Sequence, residues 1–338
     1  MSEKRVRIID IANDLGVSTA TVSNVIHGKT KKISDETVKR VQRAIEEKKY
    51  IPSMAGILLS RNSSKIIGVV INNHIKYEGR TLQDPFISSA VSYLSEVFEE
   101  KGYFMMIKCT TNIQDIITFA SMWNMEGLVI IGFCKQDYEN LRNNMHIPFV
   151  VYDGFCENTE RYSNISLDDF DGGYQMGKYL IKNGHKKIMY AADNNICMDL
   201  ERFKGLKKAM DESAIIATDS MYYILPQSIE KRYEYYKNHI KDFLEYSAIF
   251  AASDYYAIEL MNFLEDNDIS VPKDISVAGF DDIPNGTIVR PKLTTIHQDI
   301  RKRAELAVDC LLDVISGMEC KNIILPVSLI ERQSVRRI

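Results

Sequence analysis

Between Ser18 and Lys32 the chain gathers short hydroxyls, one carboxamide and three lysines. Placed on one exposed helix face, Thr19, Ala20, Thr21, Ser23 and Asn24 are small enough to enter a DNA major groove. A carboxamide such as Asn24 can pair with both adenine groups, and the methyls of Ala20 or Thr19 can meet a thymine methyl. Ser18, Thr21 and Ser23, with Lys29, Lys31 and Lys32 in the following loop, are suited to phosphate oxygens. The chemistry on offer is recognition of a polyanion and its base edges, with no bond made or broken.

Such a face needs a helix held at a fixed angle. Ile8, Ile11, Ala12 and Leu15 form one apolar face at helical spacing, and Gly16-Val17-Ser18 interrupts it. Val22, Val25 and Ile26 give a second short face that Ser18 can cap. Ser34 opens a third helix with Val38, Val41 and Ile45 as its stripe. Two helices joined by a tight turn and braced by a third form a helix-turn-helix. A three-helix cap without a DNA role would have the same periodicity. Charge is distributed to suit DNA binding. Residues 1–65 carry 13 Lys and Arg against seven Asp and Glu, while the whole chain has a net charge of −4. A basic head therefore precedes an acidic body.

The 338 residues suit two or three domains. Beyond residue 65 the pattern alternates. Apolar runs at Ile66–Ile71, Met105–Lys108, Gly127–Ile131, Pro148–Tyr152, Lys187–Ala191, Ala248–Ala251 and Ile275–Ala278 read as strands. Helices are expected at Ile87–Lys101, Tyr174–Asn183, Glu201–Asp211 and Tyr256–Glu265. Strands spaced by helices imply a parallel, doubly wound sheet. The units are too numerous for one sheet, so two lobes parting near Leu167–Asp171 are expected, with a ligand site outside the carboxyl ends of the strands. Trp123, the only tryptophan, is expected in the core.

Other classes find little support. There is no P-loop, no GxSxG, no GxGxxG after a strand and no metal-spaced histidine, so neither enzyme, cofactor nor metal is expected. Asp281-Asp282 with His185 or His297 could serve as acid and base, but nothing in the sequence places them together. The six cysteines form no CxxC pair, Met1–Arg7 leads into no apolar segment, and no run is long enough to span a membrane. The expected location is the cytoplasm, at the nucleoid.

The stretch Asp10-Ile11-Ala12, Gly16-Val17-Ser18, Thr21-Val22-Ser23 and Val25-Ile26 closely resembles the head of the lactose/galactose-repressor (LacI/GalR) family, whose pattern is DIAxxxGVSxxTVSxVI. The resemblance continues through Pro148–Asp153, Asp168–Gly173, Leu180–Ile188, Arg202–Gly205, Gly279–Ile283, Leu293–Ile296 and Leu325–Leu329. It implies a small all-α head (1–48), a hinge helix and linker (49–65) and an effector-binding body (66–338). The body would have two periplasmic-binding-protein-like lobes, about 66–166 with 298–325, and 167–297 with 326–338. By resemblance the base readers are Thr19, Ala20 and Asn24, and Leu59 is the wedge that enters the minor groove. Gly56, Ile57 and Leu58 depart from the Ala-Arg-Ser usual in that hinge. Effector contacts fall on Asn72, Asp153, Arg202, Ser253 and Asp281, with Phe86 as a cleft wall. Ser253 replaces a common Asn, and the position of a stacking aromatic falls near Ile224.

The resemblance implies a repressor that pairs as a homodimer on double-stranded operator DNA and senses a small molecule, most often a carbohydrate. Arg202→Ala would then abolish the response and leave the fold intact. The chain has no leucine heptads near its end, so a dimer is favoured over a tetramer. Control by a phosphorylated partner protein is an alternative, although Gln298–Leu311 bears no evident docking pattern. A two-lobed binding protein without a DNA role is another.

Overall fold

The first apolar face folds as α1 (Ile8–Leu15), which ends at Gly16 with φ 63°. No atom lies near the place a Cβ would take there, so the backbone conformation, and not crowding, is what favours glycine. The Ser18 hydroxyl accepts from the Thr21 amide at 3.0 Å and opens α2 (Thr19–Ile26). Ser34 does the same for Thr37 at 3.3 Å and opens α3 (Asp35–Glu47). Ile11, Ala12, Val22, Val25, Val41 and Ala44 form the core between the three helices. Arg40 of α3 donates to the Leu15 carbonyl at 2.9 Å and occupies one of the acceptors left open where α1 ends.

The computed structural model describes residues 6–51, 63–133, 135–154, 163–319 and 322–338. The chain divides into two compact units, Met1–Ser64 and Lys65–Ile338. Leu59, with Gly56, Ile57 and Leu58, lies outside the described residues.

In the second unit, β1 (Ile66–Asn72), β2 (Phe104–Thr110), β3 (Gly127–Ile131), β4 (Phe149–Tyr152) and β5 (Ser163–Leu167) form a parallel sheet with the late strand β11 (Asn322–Leu325). Its order is β11-β5-β4-β3-β1-β2. The helices α4 (Pro85–Glu100), α5 (Ile113–Met122) and α6 (Lys135–Asn144) connect its strands. A second parallel sheet, β7-β6-β8-β9, is built from β6 (Ile188–Ala192), β7 (Tyr222–Ile224), β8 (Ala248–Ala251) and β9 (Ser276–Ala278). Here α7 (Asp169–Lys182), α8 (Cys197–Glu212), α9 (Ile229–Phe243) and α10 (Asp254–Glu265) provide the crossovers. The chain passes between the sheets after β5, between β9 and α12 (Ile300–Ile315), a stretch that holds the short helix α11 (Asn285–Ile288), and after β11. Near these passages β10 (Thr295–His297) pairs antiparallel with β12 (Ser328–Ile330).

Two expectations change. The helix expected from Tyr174 begins at Asp169, because the Asp168 carboxylate caps it by accepting from the Asp171 amide at 2.9 Å. Trp123 is 44% exposed rather than in the core: it follows the last turn of α5, beyond the buried face set by Ile116 and Ala120.

The glycines of the Asp168–Gly173 and Arg202–Gly205 segments let α7 and α8 cross closely. A Cβ on Gly173 would stand 1.8 Å from the Arg202 carbonyl oxygen, and one on Gly205 2.0 Å from that of Phe170. Backbone atoms cannot yield as side chains do. Gly173→Ala is therefore expected to destabilise the body by about 1–3 kcal/mol or more, as overpacking does. Thermal melting should show a loss of about 2–4 °C for each kcal/mol. An unchanged melting temperature would mean the helices separate freely.

Candidate functional site

Two surfaces carry the residues singled out above. On the head, Ser18, Thr19, Ala20 and Asn24 are exposed or half-buried along α2, with Thr21 and Ser23 beside them. The buried face of the same helix is Val22 and Val25. Lys29, Lys31 and Lys32 lie in the loop before α3. The Ser18 and Thr21 hydroxyls lie 2.9 Å apart, so both take part in the cap of the helix they precede and begin. Asn24 makes no side-chain hydrogen bond among the described residues.

The other surface is a cavity of about 460 Å³ in the body, within the range of small-molecule sites. Asn72, Phe86, Asp153, Arg202, Ser253 and Asp281 all line it. Strand ends bring most of them together: Asn72 closes β1, Asp153 follows β4, Ser253 lies between β8 and α10, and Asp281 follows β9. Asp153 has φ 62° and Asp281 φ 116°, both at positive φ, and each turns the chain sharply where a strand ends.

Hydrogen bonds tie the two halves of the wall. Arg303, on α12 and only 1% exposed, donates to Asp153 at 2.8 Å, to the Ile165 carbonyl and to Gln298 Oε1 at 3.0 Å. Gln298 in turn donates to Asp281 at 2.7 Å. A continuous relay thus runs from the end of β4, in the first sheet, to the turn after β9, in the second. Arg202 is held as firmly. Its guanidinium donates to Asp169 at 2.8 Å and to the Ala252 carbonyl at 2.5 Å, and it stacks 3.6 Å from the Phe280 ring centroid.

The cavity holds further groups that the sequence reading did not single out, among them Lys76, Asp84, Asp193, Asp199, Tyr256 and Gln298. Lys76 follows β1 and reaches Asp193, at the end of β6, at 3.9 Å. Desolvation opposes its charge, but Tyr77, Asp193, Tyr256 and Asp199 around it hold its pKa well above the ordinary lysine value. Glu78 accepts from the Ile229 amide at 3.0 Å, a second link between the same two parts of the wall. Burial pushes Asp281 up to about 7, against the pull of Arg202 and with the help of Asp153 and Asp84. Burial likewise raises Asp199 to about 7, aided by Asp193 and opposed by Arg202 and Lys76.

Ile224 does not line the cavity. It is half-exposed on β7, and the residue that reaches the cavity from this connection is Gln227, just before the Ser228 cap of α9. His297 does meet Asp282, at 2.9 Å, but Arg332 also binds that carboxylate, and neither His297 nor Asp282 lines the cavity. His185 is apart from both, between Ser247 and the Arg336 carbonyl. Among the described residues no cluster of His, Cys, Asp and Glu is placed to hold a metal ion, and no helix is long and apolar enough to cross a membrane.

A helix-turn-helix head and a body of two parallel sheets around a polar cavity define a ligand-responsive DNA-binding regulator. Comparison with known proteins agrees. Residues 7–53 match the model of bacterial regulatory proteins of the lacI family, and residues 178–335 match a periplasmic binding protein-like domain. The chain is 32% identical over 313 residues to the HTH-type transcriptional repressor PurR of Actinobacillus pleuropneumoniae serotype 3, covering 90% of each chain. It is 28% identical to the HTH-type transcriptional regulator MalR of Clostridium butyricum, covering 97% of this chain and 98% of that one. In fold it is similar to a lac repressor dimer solved with operator and the anti-inducer ONPF, with a TM-score of 0.85 at 24% identity over 98% of this chain and 100% of that one. The chain belongs to the lacI family of bacterial regulatory proteins. Its matched relatives are transcriptional regulators and not enzymes.

Proposed function

We propose that this regulator is a cytoplasmic repressor, acting at the nucleoid, that binds a palindromic operator as a homodimer and changes its operator affinity when a sugar or sugar derivative enters the body's cavity. The observation that carries the sensing half is the convergence of Asn72, Phe86, Asp153, Arg202, Ser253 and Asp281 on one cavity. The first three come from the strands and helix of the first sheet, the last three from the second. A ligand that touches both sets favours one angle between them, and the relay Asp153–Arg303–Gln298–Asp281 ties that angle to α12. Operator affinity then changes to the extent that the two arrangements bind the ligand differently.

On the head, Thr19, Ala20 and Asn24 are assigned to base edges. Ser18, Thr21, Ser23, Lys29, Lys31 and Lys32 are assigned to phosphates. Leu59 keeps its proposed role as a minor-groove wedge on the strength of its sequence position. The division of the chain into 1–48, 49–65 and 66–338, with lobes of 66–166 plus 298–325 and 167–297 plus 326–338, accords with strands β1–β5 and β11 sharing one sheet and β6–β9 the other.

Selection of bound duplexes from a randomised pool by the purified full chain, at moderate salt, tests the reading. The expected product is a palindrome of roughly 14–20 base pairs with half-sites about one helical turn apart. A repeat with a pool of sugars should change the yield of bound duplex. Salt-sensitive binding with no enriched motif in either selection would reduce the head to a cationic patch.

A further inference from the structure

We propose that the effector carries a protonated amine, held by the cavity carboxylates Asp84, Asp199 and Asp281, so that its class is an amino sugar or another hydroxylated amine. This rests on reading the cavity as the effector site.

Charge in the cavity is unbalanced. The cations of the wall are already committed. Arg202 is paired with Asp169, Arg303 with Asp153, and Lys76 has Asp193 as its nearest carboxylate. Asp84, Asp199 and Asp281 form no ion pair among the described residues. Their hydrogen bonds come from neutral donors: the Ile87 amide at 3.0 Å, Asn194 at 2.7 Å and Gln298 at 2.7 Å. Burial raises all three carboxylates above the ordinary range, so with a ligand of hydroxyls alone they must stay charged at a cost or take up protons, whereas an ammonium supplies the missing countercharge. An acidic ligand would add a further negative charge.

Lys76 already occupies such a setting. Its ammonium lies 3.9 Å from Asp193 and 5.3 Å from the centroid of the Tyr77 ring. This wall therefore already accepts one ammonium between carboxylate and aromatic face, the setting in which cation–π attraction adds to charge pairing. Tyr255, Tyr256 and Phe86 extend the aromatic lining.

The Asn72 amide group donates to the Gly132 carbonyl at 2.8 Å, which fixes the orientation of the carboxamide, and its Oδ1 is buried without a hydrogen-bond partner. Asn72 thus presents the ligand with an acceptor. An ammonium offers three donors and no acceptor.

Amine binding should require these carboxylates ionised. Asp281, faced by Arg202, Asp153, Asp84 and Gln298, is pushed by burial up to about 7. So is Asp199, faced by Arg202, Asp193, Lys76 and Asp169. Each is mostly protonated at pH 6 and ionised at pH 8. The affinity of an amine should therefore rise by about tenfold per carboxylate across that interval, with proton release to the buffer near pH 7.

The test is calorimetric titration of the full chain with a panel of aminodeoxyhexoses and amino-alditols. Each is run beside its parent hydroxyl compound and the corresponding sugar acid, at pH 6, 7 and 8. At least one amine is expected to bind ten times more tightly than its hydroxyl and acid counterparts, with the rise toward pH 8. Asp281→Asn and Asp199→Asn, checked for folding by their melting curves, should each flatten that rise by about half on a logarithmic scale. Binding by hydroxyl or acid members without the amines, or an amine affinity flat in pH, overturns the amine and leaves the sensor reading standing. Silence from every class, in a chain that still selects an operator, removes both.

Discussion

Arg202→Met is expected to destabilise the body by about 3–5 kcal/mol, the usual consequence of stripping one partner from a buried ion pair. Asp169 supplies the reason. Both side chains are less than a tenth exposed, and Arg202 holds the Asp169 carboxylate by two of its nitrogens at 2.8 Å. Without the guanidinium, the carboxylate must stay charged in an enclosed place or take up a proton. The Ala252 carbonyl and the face of Phe280 lose their partner as well. Thermal melting should fall by roughly 10 °C. This revises the expectation from sequence that a change at Arg202 would leave the fold intact. The double variant Arg202→Met with Asp169→Leu should recover most of the loss, because it leaves no stranded charge. It also separates the two duties of Arg202. If the arginine only supports the fold, the recovered protein responds to effector as the parent does. If it also touches the effector, the double variant is stable and unresponsive. A single variant that melts with the parent would show that Asp169 finds other compensation.

What the sequence disclosed and what it withheld follow from the range of the interactions. The head was legible because all its determinants are local. Helical spacing of Ile8, Ile11 and Leu15, the left-handed Gly16 and the Ser18 and Ser34 caps each act within a few residues. Strands buried on both faces, such as Gly127–Ile131, were equally plain. Asp153, Arg202 and Asp281 could be placed because they lie in segments that the family resemblance supplied, and Asn72, Ser253 and Phe86 because they stand just beyond legible strands or just before a legible helix. Lys76, Asp193 and Asp199 could not, since they sit in connections or at helix starts with no periodicity of their own, and only the approach of the two sheets brings them together. Gln298 and Arg303 lie about 150 residues from Asp153 along the chain, so their relay exists only in three dimensions. Ile224 and Gln227 mark the same limit at short range. Three residues of offset in an irregular loop separate a half-exposed edge residue from one inside the site.

On the head, Asn24→Ala and Lys31→Ala are expected to weaken operator binding in two distinguishable ways. Asn24 lies on α2 and makes no side-chain hydrogen bond among the described residues, so its loss should leave the melting curve of the head unchanged. If its carboxamide reads an adenine, the variant loses about 1–3 kcal/mol of discrimination at that base pair and little elsewhere. Binding to the selected operator should then drop, whereas binding to a duplex altered at that one position in each half-site should hardly change. Lys31 is exposed in the loop before α3 and carries no directional information. Lys31→Ala should weaken every duplex by a similar factor and reduce the slope of log affinity against log salt by about 1 for each phosphate that the lysine neutralises. The pair of measurements tests the division of labour on this surface. A uniform loss from Asn24→Ala would move that residue to the phosphate-binding group. A loss from Lys31→Ala confined to one sequence would place it at a base. Full, unchanged binding by both variants would mean that α2 does not enter the groove.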